Sequence, residues 1–291
     1  NNYLGLTTHP KVRQAAINAI AEYGTSCTGS RFLNGNMTMI EDLEKELAAW
    51  VGKEAALVFS TGMQTNLGTI SALVGKDDII IMDKEDHASI VDGAFLSGGK
   101  IERFRHNDMD HLERVLKSLP VEKGKLLVVD GLFSMEGDIA PLPRMVELCE
   151  EYNVRLMVDD AHAFGVLGGG RGTAAHFSLT DKVDLIMSTF SKSMASIGGF
   201  IAGDFAVVDY IKHHARSLIF SASIPPANTA TVLAALQVMK EEPERIERVN
   251  QNGAFMRQGF KKLGFDTGAS CTPVVPIIIG DDARTFESWR R

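Results

Sequence analysis

Short apolar segments alternate with longer segments of helical periodicity along most of the chain. An apolar segment of strand length predicts a buried strand, and helical periodicity between two such segments predicts a helix that covers them. The predicted strands are 55–59, 79–82, 100–104, 126–129, 154–158 and 185–187. Strands that alternate with helices and have almost no polar positions predict an α/β fold, with a mostly parallel sheet covered by helices on both faces.

Local start signals refine the helices at both ends of the chain. Thr8 is predicted to cap the first helix, with Pro10 in its opening turn. Thr38 and Glu41 have the spacing of a capping box for the second helix. After the last predicted strand the pattern is mainly helical, and residues 273–280 then predict a new strand-like segment.

Composition and charge exclude several functional classes. With 45% hydrophobic residues in 291 positions the chain can bury a large core, and its net charge of −7 offers no basic surface to nucleic acid or to an anionic membrane. No apolar run approaches the roughly 20 residues that cross a bilayer, so no membrane span is predicted. The three cysteines lie far apart without CxxC spacing. They predict neither a disulfide framework nor a metal site, and they fit the reducing cytoplasm.

One lysine follows the last predicted strand in an unusual setting. Lys192 lies in the segment TFSKS, and no carboxylate occurs within seven positions on either side of it. Desolvation among small and apolar residues lowers the pKa of a lysine, so that the neutral amine can attack a carbonyl group and hold it covalently. The alternative interpretation is an ordinary solvated loop lysine.

A carboxylate follows another predicted strand, in the segment VDDAH. Asp159 at this strand end can keep a heteroaromatic nitrogen protonated, and a protonated pyridine ring is the electron sink that carbanion chemistry needs. Asp160 is then expected to be its structural or solvated neighbour. Two alternatives remain: the two carboxylates cap the next helix, or they bind a metal with His162. No further ligand cluster supports the metal.

Three more polar signals follow predicted strands. Gly62 and Met63 begin a helix, whose free backbone amides and dipole suit a phosphate, although the nucleotide-binding glycine fingerprints are absent. His87 is placed to stack on a planar ring, or alternatively to cap a helix, and Ser134 can donate a hydrogen bond. In parallel sheets ligands bind beyond the carboxyl ends of the strands. Together these residues are typical of a pyridoxal-phosphate site.

The motifs that contain these residues resemble those of the α-oxoamine synthase family of fold-type I pyridoxal-phosphate enzymes. The matching segments are NNYLGLT, GTSCTGSRFLNG, VFSTGMQTNLG, DKEDHASIVDG, GLFSMEGDIAPL, VDDAHAFGVLG, STFSKSMASIGGF and FSASIPP, in the order of the family. The resemblance implies a seven-stranded sheet. It also implies an N-terminal segment and loop at 1–35, a cofactor-binding large domain at 36–235, and at 236–291 a linker helix with the start of a small domain that is otherwise missing.

The resemblance implies a catalytic role for four residues. Lys192 is expected to attach pyridoxal phosphate covalently, and Asp159 to pair with the pyridinium nitrogen of the cofactor. His162 is expected to hydrogen-bond the phenolic oxygen of the ring. His87 is expected to stack on the ring face and to help position the substrate carboxylate. No residue of this chain matches the family's arginine for that carboxylate, which is expected in the missing region.

The resemblance also implies contacts to the phosphate and between subunits. The expected phosphate ligands are the amides of Gly62 and Met63 and the hydroxyls of Thr189 and Ser191. Ser134 is a further expected cofactor contact. Ser221 and Ala222 are expected to reach the phosphate of a neighbouring subunit's cofactor, and Ser30 to enter that subunit's substrate site, so that the active unit is a homodimer. Asn1, or Asn2 in an alternative register, is expected to match the family's substrate-binding asparagine.

The reaction implied by the resemblance is a decarboxylative condensation of an amino acid with an acyl-CoA thioester. Ser191 stands where family members that use other amino acids usually carry glycine, which favours L-serine and a long-chain acyl-CoA such as palmitoyl-CoA, with 3-ketodihydrosphingosine as product. Alternatives are alanine with pimeloyl-CoA, glycine with acetyl-CoA, or an inert fragment that binds the cofactor without turnover.

Overall fold

The computed structural model describes residues 1–290 and contains one seven-stranded sheet. Its strands are β1 (Ala55–Phe59), β2 (Ile79–Asp83), β3 (Lys100–Phe104), β4 (Lys125–Asp130), β5 (Arg155–Asp159), β6 (Leu185–Thr189) and β7 (Gly199–Gly203). The order across the sheet is β1-β7-β6-β5-β4-β2-β3, and β7 alone among them runs antiparallel to the other six strands. The predicted α/β fold with a mostly parallel sheet is confirmed.

Alternate side chains of the central strands enter two separate apolar layers. In β2, Ile79 and Ile81 pack into one layer, whereas Ile80 and Met82 pack into the other. Side chains of a strand point alternately to opposite faces, so both faces of the sheet are buried. This is why the central strands have almost no polar position until they end.

Helices cover both faces of the sheet. They are α1 (Pro10–Tyr23), α2 (Thr38–Val51), α3 (Gly62–Leu73), α4 (Ala88–Ser97), α5 (Met109–Ser118), α6 (Leu142–Glu151), α7 (Thr173–His176), α8 (Phe205–His214), α9 (Arg216–Ile219), α10 (Pro226–Glu241), α11 (Glu244–Lys262) and α12 (Asp282–Trp289). Helices α1, α2, α5, α6 and α10 bury their apolar sides on one face, and α3, α4 and α8 on the other. Within residues 1–290, none of them is long and apolar enough to cross a membrane.

Two predicted helix caps are wrong. Thr8 ends a short 3₁₀ helix, and α1 begins at Pro10 with His9 in the cap position. Thr38 is already the first residue of α2, so the capping box does not form, and the Glu41 carboxylate instead accepts a hydrogen bond from Asn36 Nδ2 at 2.7 Å. In both cases the cap residue lies one position away from the hydroxyl that the local pattern selects.

The strand prediction was wrong at two places, one near the site and one in the C-terminal segment. β7 was missed because its glycine ends resemble a loop; a Cβ on Gly199 would lie 2.6 Å from Thr65 Oγ1, so the glycine lets α3 approach. Residues 273–280 form no strand, because this segment runs beside the Gly137 loop and not along a strand edge. A Cβ on Gly137 would lie only 2.3 Å from Val274 O.

The predicted three-part division of the chain stays a prediction. Helix α10 continues across residue 235, and α11 also contributes a buried side chain, Ile246, to the core. The last position of the predicted range 236–291 lies outside the described residues.

Candidate active site

A cavity of about 330 Å³ lies at the carboxyl ends of β4, β5 and β6. Most of the predicted cofactor residues line it, although they come from distant parts of the chain. They are Gly62, Met63, His87, Ser134, Asp159, His162, Thr189, Ser191 and Lys192. Lys192 and Asp159 therefore share one cavity, as the predicted site requires, while the role of each residue stays a prediction.

Lys192 lies on the connection between β6 and β7. Phe190 N donates to Gly198 O at 2.9 Å, which closes this connection and turns the lysine toward the cavity. Burial lowers the pKa of Lys192, although the charges of Asp159 and Asp130 oppose this change. The antiparallel turn thus places a partly desolvated amine among carboxylates that are distant in sequence, as a nucleophilic lysine needs.

Three buried carboxyl groups lie at and beside the ends of β4 and β5, and we call Asp86, Asp130 and Asp159 the acidic wall. Asp130 and Asp159 line the cavity, and Asp86 contacts Asp130. Asp130 and Asp159 are register partners at the ends of β4 and β5. Asp86 Oδ1 accepts from Asp130 N at 2.9 Å, and burial raises the pKa of both Asp86 and Asp130. Asp130 was not among the predicted site residues. It ends an apolar strand as Asp159 does, and a carboxylate in this position is the signal that identifies it.

The Asp159 carboxylate is held by hydrogen bonds on both oxygens. Oδ2 accepts from Asn66 Nδ2 at 2.7 Å, and Oδ1 accepts from Ala161 N at 2.9 Å. Asn66 was also missed; it lies one helical turn after Gly62 and therefore faces the same way as the start of α3. These bonds satisfy a charge that is only 2% exposed and fix its orientation.

His87 both caps a helix and lines the cavity, so the two interpretations of this residue are compatible. Its Nδ1 accepts a hydrogen bond from Ser89 N at 3.2 Å at the start of α4, and Ser89 Oγ lies 2.7 Å from the same nitrogen. Asn66 Nδ2 donates to Ser89 Oγ at 2.8 Å. A continuous chain of hydrogen bonds therefore runs from Asp159 through Asn66 and Ser89 to His87.

His162 contacts a residue that the sequence analysis did not select. Tyr3 Oη lies 2.8 Å from His162 Nδ1. Burial lowers the pKa of His162 to about 3, with Lys192 and His87 adding to the effect, and burial raises the pKa of Tyr3 to about 12. Both groups are therefore neutral near neutral pH. The NNYLGL motif contains Tyr3, but no local signal connects it with a histidine 159 positions away.

A second group of residues in the cavity lining carries hydrogen-bond donors, and we call this group the donor wall. It comprises Gly62, Met63, Thr189 and Ser191. Thr61 Oγ1 accepts from Gln64 N at 3.1 Å, so the cap of α3 uses the third amide and leaves the first two for a ligand. A Cβ on Gly62 would lie 2.7 Å from Thr189 Oγ1, which shows how closely the two elements approach here.

Four predicted residues do not line this cavity. They are Asn1, Ser30, Ser221 and Ala222. Ser221 Oγ accepts a hydrogen bond from Gln64 Nε2 at 2.9 Å, and Asn1 lies in an adjacent depression that it shares with Ser134. Their predicted roles at a substrate or at a neighbouring subunit's cofactor stay predictions.

Asp160 is a structural neighbour of the site, as expected. Its Oδ2 accepts from Thr173 N at 2.9 Å, away from the cavity, and burial raises its pKa to about 7. Asp159 and Asp160 thus point to different partners. Across the part of the chain that the structure describes, no three His, Cys, Asp or Glu side chains are grouped to hold a metal ion.

The chain is similar to several proteins of known class. The family model for aminotransferase class I and II matches residues 1–291. A serine palmitoyltransferase of Sphingobacterium spiritivorum is 54% identical over 98% of this chain and 72% of its own length. An 8-amino-7-oxononanoate synthase of Bacillus pumilus is 47% identical over 98% of this chain and 73% of its length. A solved serine palmitoyltransferase from S. paucimobilis with bound PLP and myriocin is 36% identical, with a TM-score of 0.96 over 99% of this chain and 75% of that chain.

Proposed function

The chain belongs to the class I and II aminotransferase family, and from this membership we propose that it condenses L-serine with palmitoyl-CoA in a pyridoxal-phosphate-dependent reaction. The products are 3-ketodihydrosphingosine, CoA and carbon dioxide, and the reaction is the first step of sphingolipid synthesis. The observation that carries the proposal is one cavity lined by Lys192, by Asp130 and Asp159 of the acidic wall, and by the donor wall. The 54% identity to a serine palmitoyltransferase supports the choice of substrates.

The residues present fit pyridoxal phosphate. This cofactor carries a phosphate and a ring nitrogen, and the cavity lining offers both the free backbone amides of a helix start and a buried carboxylate. Asn66 Oδ1 is buried without a hydrogen-bond partner in residues 1–290, so an acceptor in the cavity lining awaits a ligand. When bound, the cofactor supplies an aldehyde for the lysine and a ring that withdraws electrons from the α-carbon of an amino acid.

Each part of the cavity has one task in binding. The donor wall holds the phosphate through the two free amides of α3 and the hydroxyls of Thr189 and Ser191. Asp159 pairs with the ring nitrogen, and His162 hydrogen-bonds the phenolic oxygen. His87 covers the ring face and contacts the substrate carboxylate.

Two groups of the chain carry the chemistry. Lys192 Nζ would hold the cofactor covalently until the amino group of serine displaces it, and the released amine would then accept the α-proton of serine; its lowered pKa makes the neutral amine available for both tasks. Asp159 keeps a proton on the ring nitrogen, because a fixed negative charge in a dry site stabilises positive charge beside it more strongly than water does. Asn66 and Ala161 keep this carboxylate oriented throughout.

Reconstitution with pyridoxal phosphate tests the cofactor site. We expect the absorbance band of a lysine-bound cofactor in the unchanged protein and its loss in Lys192→Ala. Lys182→Ala is the control, because Lys182 is exposed and pairs with Glu150 at the surface. A band that persists in Lys192→Ala, or is absent from the unchanged protein, contradicts the proposal.

A substrate panel tests the reaction. CoA release is measured with serine, alanine or glycine, each combined with palmitoyl-, pimeloyl- or acetyl-CoA. We expect turnover with serine and palmitoyl-CoA. Preference for alanine with pimeloyl-CoA supports the second candidate, which the 47% identity to an 8-amino-7-oxononanoate synthase favours. A bound cofactor without turnover on any pair indicates the inert alternative.

We also propose that the chain acts as a homodimer in the cytoplasm. An exposed apolar surface beside the donor wall supports dimerisation: Leu33 is 76% and Phe220 is 73% exposed, and their loops are joined by Ser223 N donating to Gly29 O at 2.9 Å. The unpaired cysteines support a reducing compartment. Sedimentation is expected to show a dimer that Leu33→Glu dissociates and that Leu263→Glu, at another exposed leucine, leaves intact.

A further inference from the structure

The contact between Tyr3 and His162 joins the N-terminal segment to the cavity. The Tyr3 hydroxyl lies 2.8 Å from His162 Nδ1, and the two rings meet edge to face at 78°. His162 lines the cavity, whereas Tyr3 does not and lines two neighbouring depressions instead. Because Nδ1 faces Tyr3, the other ring nitrogen, Nε2, is the one that remains for a ligand.

The direction of this hydrogen bond follows from proton counting. A neutral phenol and a neutral imidazole have one polar proton each, and burial favours the neutral form of both. If His162 Nδ1 donated to Tyr3, the phenolic proton would be left without an acceptor, since the structure records no other hydrogen bond of Tyr3 Oη within residues 1–290. If Tyr3 donates to Nδ1, both groups are satisfied and the imidazole proton lies on Nε2.

We propose that Tyr3 is a positioning residue whose hydroxyl holds His162 in the tautomer protonated at Nε2. In this tautomer Nε2 carries a proton and donates it in a hydrogen bond to an oxygen in the cavity. In the opposite tautomer Nε2 carries a lone pair, which repels the lone pairs of that oxygen. The identity of that oxygen, the phenolic oxygen of pyridoxal phosphate, rests on the proposed function. The tautomer itself is a property of the chain and is measured without the cofactor.

The other histidine of the cavity has the same arrangement. His87 Nδ1 accepts from Ser89 N, a donor whose direction is certain because it is a backbone amide. A neutral His87 therefore also carries its proton on Nε2. In both cavity histidines a hydrogen bond accepted at Nδ1 thus leaves Nε2 as the donor nitrogen. The partner of Nδ1 is a backbone amide of α4 at His87 and the Tyr3 hydroxyl at His162.

Tyr3 is anchored independently of the site. Leu4 and Leu6 are buried in the core at 3% and 0% exposure, and Arg245 Nη1 donates to Leu4 O at 3.1 Å. The residues after Tyr3 therefore keep the backbone in place when the hydroxyl alone is removed. Tyr3→Phe deletes one oxygen and keeps the ring, so the test isolates the hydrogen bond.

The test is a long-range ¹H–¹⁵N NMR spectrum of the full chain with ¹⁵N-labelled histidine, which reports the protonated nitrogen of each ring. His162→Gln assigns the His162 signals, and thermal unfolding checks each variant for folding. We expect His162 protonated at Nε2 in the unchanged protein and a mixture of tautomers in Tyr3→Phe. The matched control is Tyr210→Phe, where a tyrosine ring stacks on His214 at 3.8 Å without a hydroxyl bond to it; its histidine signals should stay unchanged.

Cofactor binding supplies the second measurement. Loss of one neutral hydrogen bond is expected to weaken pyridoxal-phosphate affinity by about 3- to 10-fold in Tyr3→Phe, with no change in Tyr210→Phe. A His162 protonated at Nδ1 in the unchanged protein, or a tautomer that Tyr3→Phe leaves unaltered, overturns the inference even if the cofactor binds. A chain with the expected tautomer that binds no cofactor overturns the proposed function and leaves the tautomer assignment standing.

Discussion

The acidic wall and the donor wall both contribute to the lining of one cavity but are built from different elements. The acidic wall consists of carboxyl groups at and beside the ends of parallel strands, held by bonds such as Asp86 Oδ1 to Asp130 N at 2.9 Å. The donor wall has no carboxylate and consists of a helix start and a turn between antiparallel strands. The difference gives the cavity a polarity, so a ligand with one anionic and one cationic end binds in one orientation.

Backbone geometry explains why the walls differ. Amides without a partner occur at helix starts and turns, where the regular hydrogen-bond pattern is incomplete, so phosphate donors belong there. Carboxylates need firm support when they are buried, and adjacent strands in register supply it for Asp130 and Asp159. The connection from β6 to β7 places Lys192 in the lining of the same cavity.

The largest effect is expected when the acidic wall loses its charge at Asp159. Asp159→Asn keeps the shape of the side chain but removes the charge, so the ring nitrogen is no longer kept protonated. We expect kcat/KM for CoA release to fall by about 10³-fold. Asp160→Asn is the control, because Asp160 bonds Thr173 and not the cavity. Equal losses in the two variants would show that the charge at Asp159 has no special role.

A smaller effect is expected when the donor wall is obstructed. The Cβ of Gly62→Ala would lie 2.7 Å from Thr189 Oγ1 and would displace the phosphate from its amides. Because a hydrogen bond to a charged group contributes about 1.5–3 kcal/mol, we expect the Kd for pyridoxal phosphate to rise by about 10- to 100-fold. Gly259→Ala, where a Cβ meets nothing within 4 Å, provides the control. An unchanged Kd in Gly62→Ala would show that the donor wall does not bind the phosphate.

The smallest effect concerns the support behind the acidic wall. His106 bridges Asp83 Oδ1 at 3.1 Å and Asp138 Oδ2 at 3.0 Å. Burial alone lowers the pKa of His106, but the hydrogen bonds and charges of Asp83 and Asp138 outweigh it and raise the pKa above 6.5. A raised pKa in the folded state stabilises the protein fully below the unfolded value, and this stabilisation is lost as the pH rises through the folded value.

His106→Gln should therefore lower the free energy of unfolding by about 1–3 kcal/mol in mildly acidic solution, and the difference from the unchanged protein should narrow as the pH rises. Urea unfolding across this range measures it. His213→Gln is the control, because His213 is exposed and lies 3.6 Å from Asp209 at the surface. A difference that widens with rising pH contradicts the assigned sign.

Much of the fold and part of the site were predictable from local pattern. Ala55–Phe59 and Lys100–Phe104 are strands with the predicted bounds, because their side chains and turn-forming neighbours already define them. The helix caps were not predictable, since Thr8 and Thr38 compete with neighbouring residues for the same position and the packing of the helix decides the outcome. The prediction missed β7 for a related reason. Glycine is needed at Gly199 because α3 packs too close for a side chain, and this requirement is visible only in the fold.

The sequence by itself determined the candidate chemical groups of this protein. They are a lysine with no carboxylate within seven positions in the sequence at Lys192, a carboxylate after a strand at Asp159, and free amides at Gly62. Such properties are local, because a few adjacent residues set them. The tertiary structure decided which groups support that chemistry. Asn66 reaches Asp159 across 93 positions and Tyr3 reaches His162 across 159. Contacts of this kind depend on strand order and on helices crossing the sheet, and they leave no periodic trace in the residues that make them.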